Sequence, residues 1–199
     1  MKKANIEKNV VILYTSNGSE IKKSHDWFIA TMKNLYHGLK SGKYTMYHIA
    51  KFYLMTYKLS DSGRLGKTGE VMVKLYLHGL RGNWMRPALK GCTDVTFHGV
   101  PCECKTNCGE INDNILSNDF VIYTMYGGVD YYRPSEWKVV PTCDFIDILN
   151  NVGLIREKKS SNGQLKTTIQ SYRNSKRKTM AFERELSVYP TLEEWKEAH

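Results

Sequence analysis

Residues 93 to 105 read TDVTFHGVPCECK. Apolar and polar residues alternate on either side of His98-Gly99. Period-two patterning belongs to a strand with one buried face. Gly takes positive φ at no steric cost, and His tolerates it better than most residues. His98-Gly99 therefore predicts a two-residue hairpin turn. Counting outward sets the register: Phe97 opposite Val100, Thr96 opposite Pro101, Val95 opposite Cys102 and Asp94 opposite Glu103. Val95, Phe97, Val100, Cys102 and Cys104 then face a core, while Asp94, Thr96, Glu103 and Lys105 share the other face. Pro101 cannot donate to a ladder, so it demands an edge position or a bulge, and a bulge would slip the register by one.

Two carboxylates opposite one another on a sheet repel by a few tenths to about 1 kcal/mol. A compensating cation is expected. Lys105, two residues from Glu103 on the same face, is one candidate, and the hairpin is then an ordinary surface element closed by a salt bridge. A divalent ion held by both carboxylates is the other candidate. Hard oxygen ligands with open positions favour Mg²⁺ or Mn²⁺, with waters and a phosphate completing the shell.

The charge distribution bears on what lies opposite that face. The 199-residue chain has a net charge of +9. Residues 1–60 carry ten Lys/Arg against three acids, 61–155 nine against eleven, 156–178 eight against one, and 179–199 two against five. Two basic blocks thus flank a slightly acidic centre, which suits a polyanion gripped by the flanks. A solvated basic surface without a partner is the plainer alternative. No apolar run approaches the roughly 18 residues of a membrane span, and Val10–Tyr14 is too short for a signal-peptide core. The expectation is a cytoplasmic protein with no membrane partner. Its five cysteines, an odd number, are then expected as reduced thiols.

The rest of the chain reads as follows. Phe28, Met32, Leu35 and Leu39 recur at helical spacing, so a helix is predicted over 24–40 with Ser24 as N-cap. A second helix over 44–58 follows the joint at 41–43, and the two form an antiparallel pair. LSDSGRLGKTGE reads as a Gly- and Ser-rich loop. A third helix is predicted from Thr68, its cap, to about Leu80, with a strand through Val71, Val73, Leu75 and Leu77 as the rival. Phe120–Tyr126 reads as a buried strand, CDFIDILNNVGLI as a helix with Ile146 and Leu149 inward, and residues 154–172 as a basic hairpin turning at Asn162-Gly163. PTLEEWKEAH is a short acidic helix with Pro190 and Thr191 at its start. No internal repeat is visible.

Two motifs are set aside. GRLGKTGE ends like a phosphate-binding loop, but the glycine that G-x-x-x-x-G-K-[ST] requires at position 61 is Asp61, and no strand precedes it. Cys102, Cys104 and Cys108 lack the C-x₂-C spacing of a zinc site, and core-facing cysteines behave as small hydrophobes.

The segment TDVTFHGVPCECK resembles the signature of the PD-(D/E)XK nuclease superfamily, the restriction-endonuclease-like fold. Asp94 matches the motif's Asp, and Glu103-Cys104-Lys105 matches (D/E)-x-K. Thr93 stands where the family usually has Pro. Glu70 matches the further Glu that the superfamily often places on the helix before the hairpin. The resemblance covers roughly residues 66–126, and its motif is short and degenerate. It implies an α/β (α+β) fold with a central mixed sheet flanked by helices, here with an N-terminal helical pair and a basic C-terminal hairpin. The expected divisions are 1–60, 61–155 and 156–199, within one compact domain.

The resemblance also implies chemistry: metal-dependent hydrolysis of DNA phosphodiesters to a 5′-phosphate and a 3′-hydroxyl. Asp94, Glu103 and the backbone carbonyl of Cys104 would hold Mg²⁺ or Mn²⁺. Glu70 would join them directly or through water, and Lys105 would position the attacking water and stabilise the scissile phosphate. Arg156, Lys158, Lys159, Lys166, Arg173, Lys176, Arg177 and Lys178, offset only by Glu157, are the expected phosphate contacts. Two alternatives stand beside this. One is a nuclease-fold factor of phage or mobile-element type that binds nucleic acid or protein without cutting. The other is a structure-specific or RNA-directed nuclease such as a junction resolvase, acting as a homodimer.

Overall fold

The computed structural model describes residues 9–80, 85–89, 92–106, 110–111, 113–125, 136–159, 165–169 and 176–199. The chain divides into two compact units, Met1–Met85 and Arg86–His199. The sequence predicts divisions at 60/61 and 155/156 within one compact domain.

The first unit opens with an antiparallel hairpin, β1 (Val10–Tyr14) and β2 (Glu20–Ser24). Sequence reading had noted only the short apolar run. Its turn closes through Thr15 N–H to the Ser19 carbonyl at 2.9 Å, with Gly18 at φ +81°. The next helix, α1 (His25–Lys40), begins where predicted: the Ser24 hydroxyl accepts from Trp27 N–H at 3.2 Å. Phe28 and Met32 are buried, and Phe28 stacks on Phe52 of α2 (Met46–Leu54) with centroids 5.4 Å apart. The second helix is shorter than the predicted 44–58. After Leu54 the backbone tightens into i→i+3 bonds, Met55 to Phe52, Thr56 to Tyr53 and Tyr57 to Leu54.

The third helix, α3 (Asp61–His78), corrects the sequence reading. It starts seven residues before Thr68, so the expected Gly-rich loop is largely helix. Thr68 is no cap: it is buried inside the helix, where its hydroxyl donates to the Arg64 carbonyl at 2.7 Å. Each glycine in a helix costs about 1 kcal/mol relative to Ala. Packing overrides that propensity, because Val71, Met72, Val73, Leu75 and Leu77 are all buried. A helix apolar on most sides also satisfies an alternating pattern, which is why the strand rival looked plausible. The Gly66-Lys67-Thr68 triplet lies within this helix.

The second unit is built on a four-stranded mixed sheet in the order β3-β4-β6-β7. The strands are β3 (Val95–Phe97), β4 (Val100–Lys105), β6 (Phe120–Met125) and β7 (Glu136–Pro141). β3 and β4 are antiparallel, β4 and β6 parallel, and β6 and β7 antiparallel. A parallel pair needs a crossover, and the connection here contains a 3-10 helix, Asp113–Ser117. The α+β class is as expected, with a mixed sheet and helices on it.

One sheet face packs under α4 (Thr142–Asn151) and α5 (Lys176–Leu186). Tyr123, Phe145 and Phe182 meet there with centroids 5.2 to 6.0 Å apart. Phe145 and Leu149 point inward on α4, and Ile146 is only half-buried. Gly153, at φ +67°, lets its N–H return to the Asn150 carbonyl and end the helix. The opposite face carries α6 (Leu192–Ala198). Thr191, expected at its start, closes a capping box with Glu194: Thr191 accepts from Glu194 N–H at 3.2 Å, and Glu194 accepts from Thr191 N–H at 2.7 Å. Trp195 of this helix packs on Phe97 and Phe120.

A second sheet joins β5 (Glu110–Ile111), β9 (Leu165–Ile169) and β8 (Ile155–Lys159) in the order β5-β9-β8. The basic hairpin forms as predicted, but Lys159 pairs with Leu165 and Lys158 with Lys166. That register centres on Asn162. A two-residue Asn162-Gly163 turn would instead pair Lys159 with Lys166. The turn itself, 160–164, lies outside the described residues.

Candidate active site

The site begins with the hairpin turn. His98 takes φ +48° and Gly99 φ +85°, both in the left-handed region a type I′ turn demands. The observed pairs are Phe97 with Val100, Thr96 with Pro101 and Val95 with Cys102, the first three counted from the sequence; the fourth, Asp94 with Glu103, lies beyond the ladder. Pro101 does not slip the register. In a two-residue hairpin the flanking pair exchanges hydrogen bonds and the next pair does not. The Pro101 nitrogen therefore faces away from β3, and the β4–β6 ladder starts only at Cys102. The missing donor falls where neither ladder needs one, while the Pro101 carbonyl accepts from Asp119 N–H at 3.0 Å.

β3 stops at Val95, one residue after Asp94. By the same alternation the Cys104 N–H points toward β3, where a continuing strand would supply a carbonyl. Asp94 supplies an oxygen instead: its Oδ2 accepts from Cys104 N–H at 3.0 Å. The N–H and C=O of one strand residue point to the same side, so the Cys104 carbonyl lies on the Asp94 side of β4.

Glu103 and Lys105 are two residues apart on one face of β4. Lys105 Nζ donates to Glu103 Oε1 at 2.6 Å, and both side chains are 15% exposed. The register sets Glu103 beside Val121 and Lys105 beside Tyr123, which belong to the apolar core under α4. The pair therefore has an apolar wall on one side, where charge interactions are screened less than in water. The adjacent Tyr123 is in turn the register partner of Lys138 on β7. Lys138 is buried and donates to the Tyr189 carbonyl at 3.0 Å. Sequence reading singled out neither residue. The signal was the alternation in FVIYTM, which puts Tyr123 on the face of Val121.

The other face behaves as the pattern required. Val95, Phe97 and Cys102 are buried, and Cys104 is half-buried. Burial, followed by the negative charge of Asp119, pushes the Cys102 thiol up to about 12. Cys92, Cys102, Cys104 and Cys143 are free thiols, and Cys108 lies outside the described residues.

Glu70 sits in the first unit, on α3, and is buried. It is clasped along its own helix, by Lys67 at 2.5 Å three residues before and by buried Lys74 four residues after. Asp94, Glu103 and Lys105 belong to the second unit.

Arg156, Lys158 and Lys159 fall on β8, Lys166 on β9, and Lys176, Arg177 and Lys178 at the start of α5. Arg173 lies outside the described residues. Among the described residues, no cluster of three or more His, Cys, Asp or Glu side chains has metal-holding geometry. The hairpin offers two carboxylates and a carbonyl. Among those residues, too, no helix is long and apolar enough to cross a membrane.

Comparison with protein-family models, with curated proteins and with solved structures found no match.

Proposed function

We propose that the chain is a Mg²⁺- or Mn²⁺-dependent deoxyribonuclease of the PD-(D/E)XK kind, working at the open end of the β3–β4 hairpin. The observation that carries this reading is the meeting of Asp94 with the Cys104 backbone, directly beside the Glu103–Lys105 pair. An acid from one strand and an acid-x-lysine from the next thereby share one corner of the sheet.

The donor set fits a hard divalent ion. Asp94 and Glu103 offer carboxylate oxygens, and the Cys104 carbonyl opens to the same side. Mg²⁺ typically takes one or two carboxylates and keeps waters, with substrate phosphate completing its shell. Such an ion, when bound, supplies Lewis acidity and a water of lowered pKa. The chain's own residues do the rest. Asp94, anchored by the Cys104 N–H, holds its second oxygen in a fixed direction. Glu103 would hold the ion together with Asp94, and Lys105, its present partner, would face the incoming phosphate. Lys105 would orient the attacking water and offset charge as it builds on the scissile group. The apolar wall of Val121 and Tyr123 beside the pair would strengthen each of these interactions. The lysines and arginines of 156–178 hold the flanking phosphates.

A second reading, binding without cleavage, draws on the same Glu103–Lys105 pair, since the two already neutralise each other. One assay separates the two readings. Plasmid, single-stranded DNA and RNA are incubated with the protein in Mg²⁺ or Mn²⁺, beside Asp94→Asn and Lys105→Met variants. The nuclease reading expects metal-dependent nicking that either substitution lowers at least about a hundredfold. Failure of every substrate to be cut with either metal sinks it, as does wild-type cutting by the variants. Glu70→Gln needs a stability control, because that buried carboxylate pairs with Lys67 and Lys74 along its helix, and breaking a buried pair costs about 3–5 kcal/mol.

A further inference from the structure

Among the described residues, four lysines lie over aromatic rings, and all fall within residues 23–51: Lys23 over Trp27, Lys40 over Tyr36, Lys43 over Tyr44 and Lys51 over Tyr47. Such pairs ordinarily occur about once per 70–80 residues. At exposed positions each adds only about 0.5–1 kcal/mol to the fold, so stability is a weak explanation for four in so short a segment. All seven described lysines of residues 9–60 are exposed, and they face only Glu20 and Asp26 as described acids.

The arrangement is also ordered. On α1, Lys33, Tyr36, His37 and Lys40 follow at i, i+3, i+4 and i+7, which is one stripe of the helix. The joint then folds back on that stripe. Tyr44 N–H donates to the Gly38 carbonyl at 3.1 Å, and the Tyr44 ring covers Gly38, where no side chain would fit. The Tyr44 and Tyr47 rings both stand against His48, at 5.9 and 6.1 Å. Cations and flat rings thus alternate from α1 across the joint onto α2.

We propose that this surface of the first unit binds single-stranded nucleic acid, with phosphates on Lys40, Lys43 and Lys51 and bases stacked on the rings of Tyr47 and its neighbours. Positive charge alone would serve any polyanion. The rings narrow the partner, because a base can stack on an aromatic face only when it is free of a duplex. A lipid surface would demand apolar side chains projecting among the lysines; the large exposed ones among this unit's described residues, Val10, Ile21, Trp27 and Ile29, all precede Lys33, and none falls among Lys40, Lys43 and Lys51. The proposal goes beyond the nuclease reading and does not depend on it.

The test is fluorescence anisotropy in EDTA, so that cleavage plays no part. The probes are labelled 15-nucleotide oligo(dT) and oligo(U), a blunt 15-base-pair duplex, and phosphatidylserine vesicles. A Lys40→Gln, Lys43→Gln, Lys51→Gln triple variant should reduce the salt slope for single strands by about 2, since each phosphate contact contributes about 0.7. The block at 156–178 is unchanged in that variant, so the slope rather than complete loss is the readout. Tyr47→Leu should weaken single-strand binding at least about fivefold and leave duplex binding unchanged. Circular dichroism and thermal melts establish that both variants fold. An unaltered slope in the triple variant overturns the proposal, as does equal loss on duplex and single strands, or preference for vesicles. Whether DNA or RNA binds more tightly identifies the natural strand, and either result supports the surface.

Discussion

Replacing Asp94 separates its two jobs. Its Oδ2 accepts from Cys104 N–H at 3.0 Å in a half-buried setting. In Asp94→Ala that amide loses its acceptor. An unsatisfied buried donor costs about 1–3 kcal/mol, and partial access to water keeps this site in the lower half, about 1–2 kcal/mol. For a chain of this length the melting temperature should fall by roughly 2–8 °C. Asp94→Asn keeps an oxygen in place and should fall by less than half as much. The difference between the two variants vanishes for the proposed chemistry, because a neutral amide is a poor ligand for a hard cation. Both variants should lose metal-dependent cleavage alike. Urea or thermal unfolding read beside nicking of plasmid gives the two measurements on one preparation. Equal stability of Asp94→Ala and wild type would refute the bond's structural role. Wild-type cutting by Asp94→Asn would refute the ligand role while leaving the hairpin argument standing.

Three further outcomes follow from the packing and the caps. Phe145→Ala removes a ring that is fully buried between Tyr123 and Phe182, and should destabilise by about 3–5 kcal/mol in denaturant unfolding. Cys102 should resist alkylation at pH 8 until denaturant is added, while exposed Cys92 and Cys143 react at once, as mass spectrometry of the labelled peptides would show. The backbone and hydroxyl of Thr191 hold the Glu194 carboxyl below its usual range. Its contribution is therefore complete above the unfolded carboxylate value and disappears as pH falls through the lower, folded one. The melting difference between wild type and Glu194→Gln should shrink toward zero on acidification below about pH 4.5, and a difference that grows there would contradict the cap.

The hairpin was legible because three signals agreed: period two, a His-Gly turn and matched apolar faces. The Asp94 bond to Cys104 was not, since it depends on β3 ending one residue early. Ser24 and Thr191 announced their helices because a cap is a local bond between near neighbours. α3 hid its first two turns behind Gly63 and Gly66, whose propensity is overruled by packing that only the fold supplies. β7 went unread because EWKVVP carries apolar residues for both faces of a covered sheet, and Lys138 breaks the run. The α5 helix was obscured in the same way by a basic stretch that reads first as surface. Glu70 illustrates the limit of motif matching: its position was found, but its two lysine partners came only from the helix around it.

Trp195 closes the apolar side of the hairpin from almost the last turn of the chain. About a hundred residues separate it from Phe97. A ribosome therefore delivers the hairpin long before its cover, and the nascent chain carries Phe97 and Phe120 uncapped through most of the second unit's synthesis. Contacts this distant in sequence form late. A message truncated ahead of Thr191 would yield a chain whose Phe97 and Phe120 lack Trp195 on that face of the sheet.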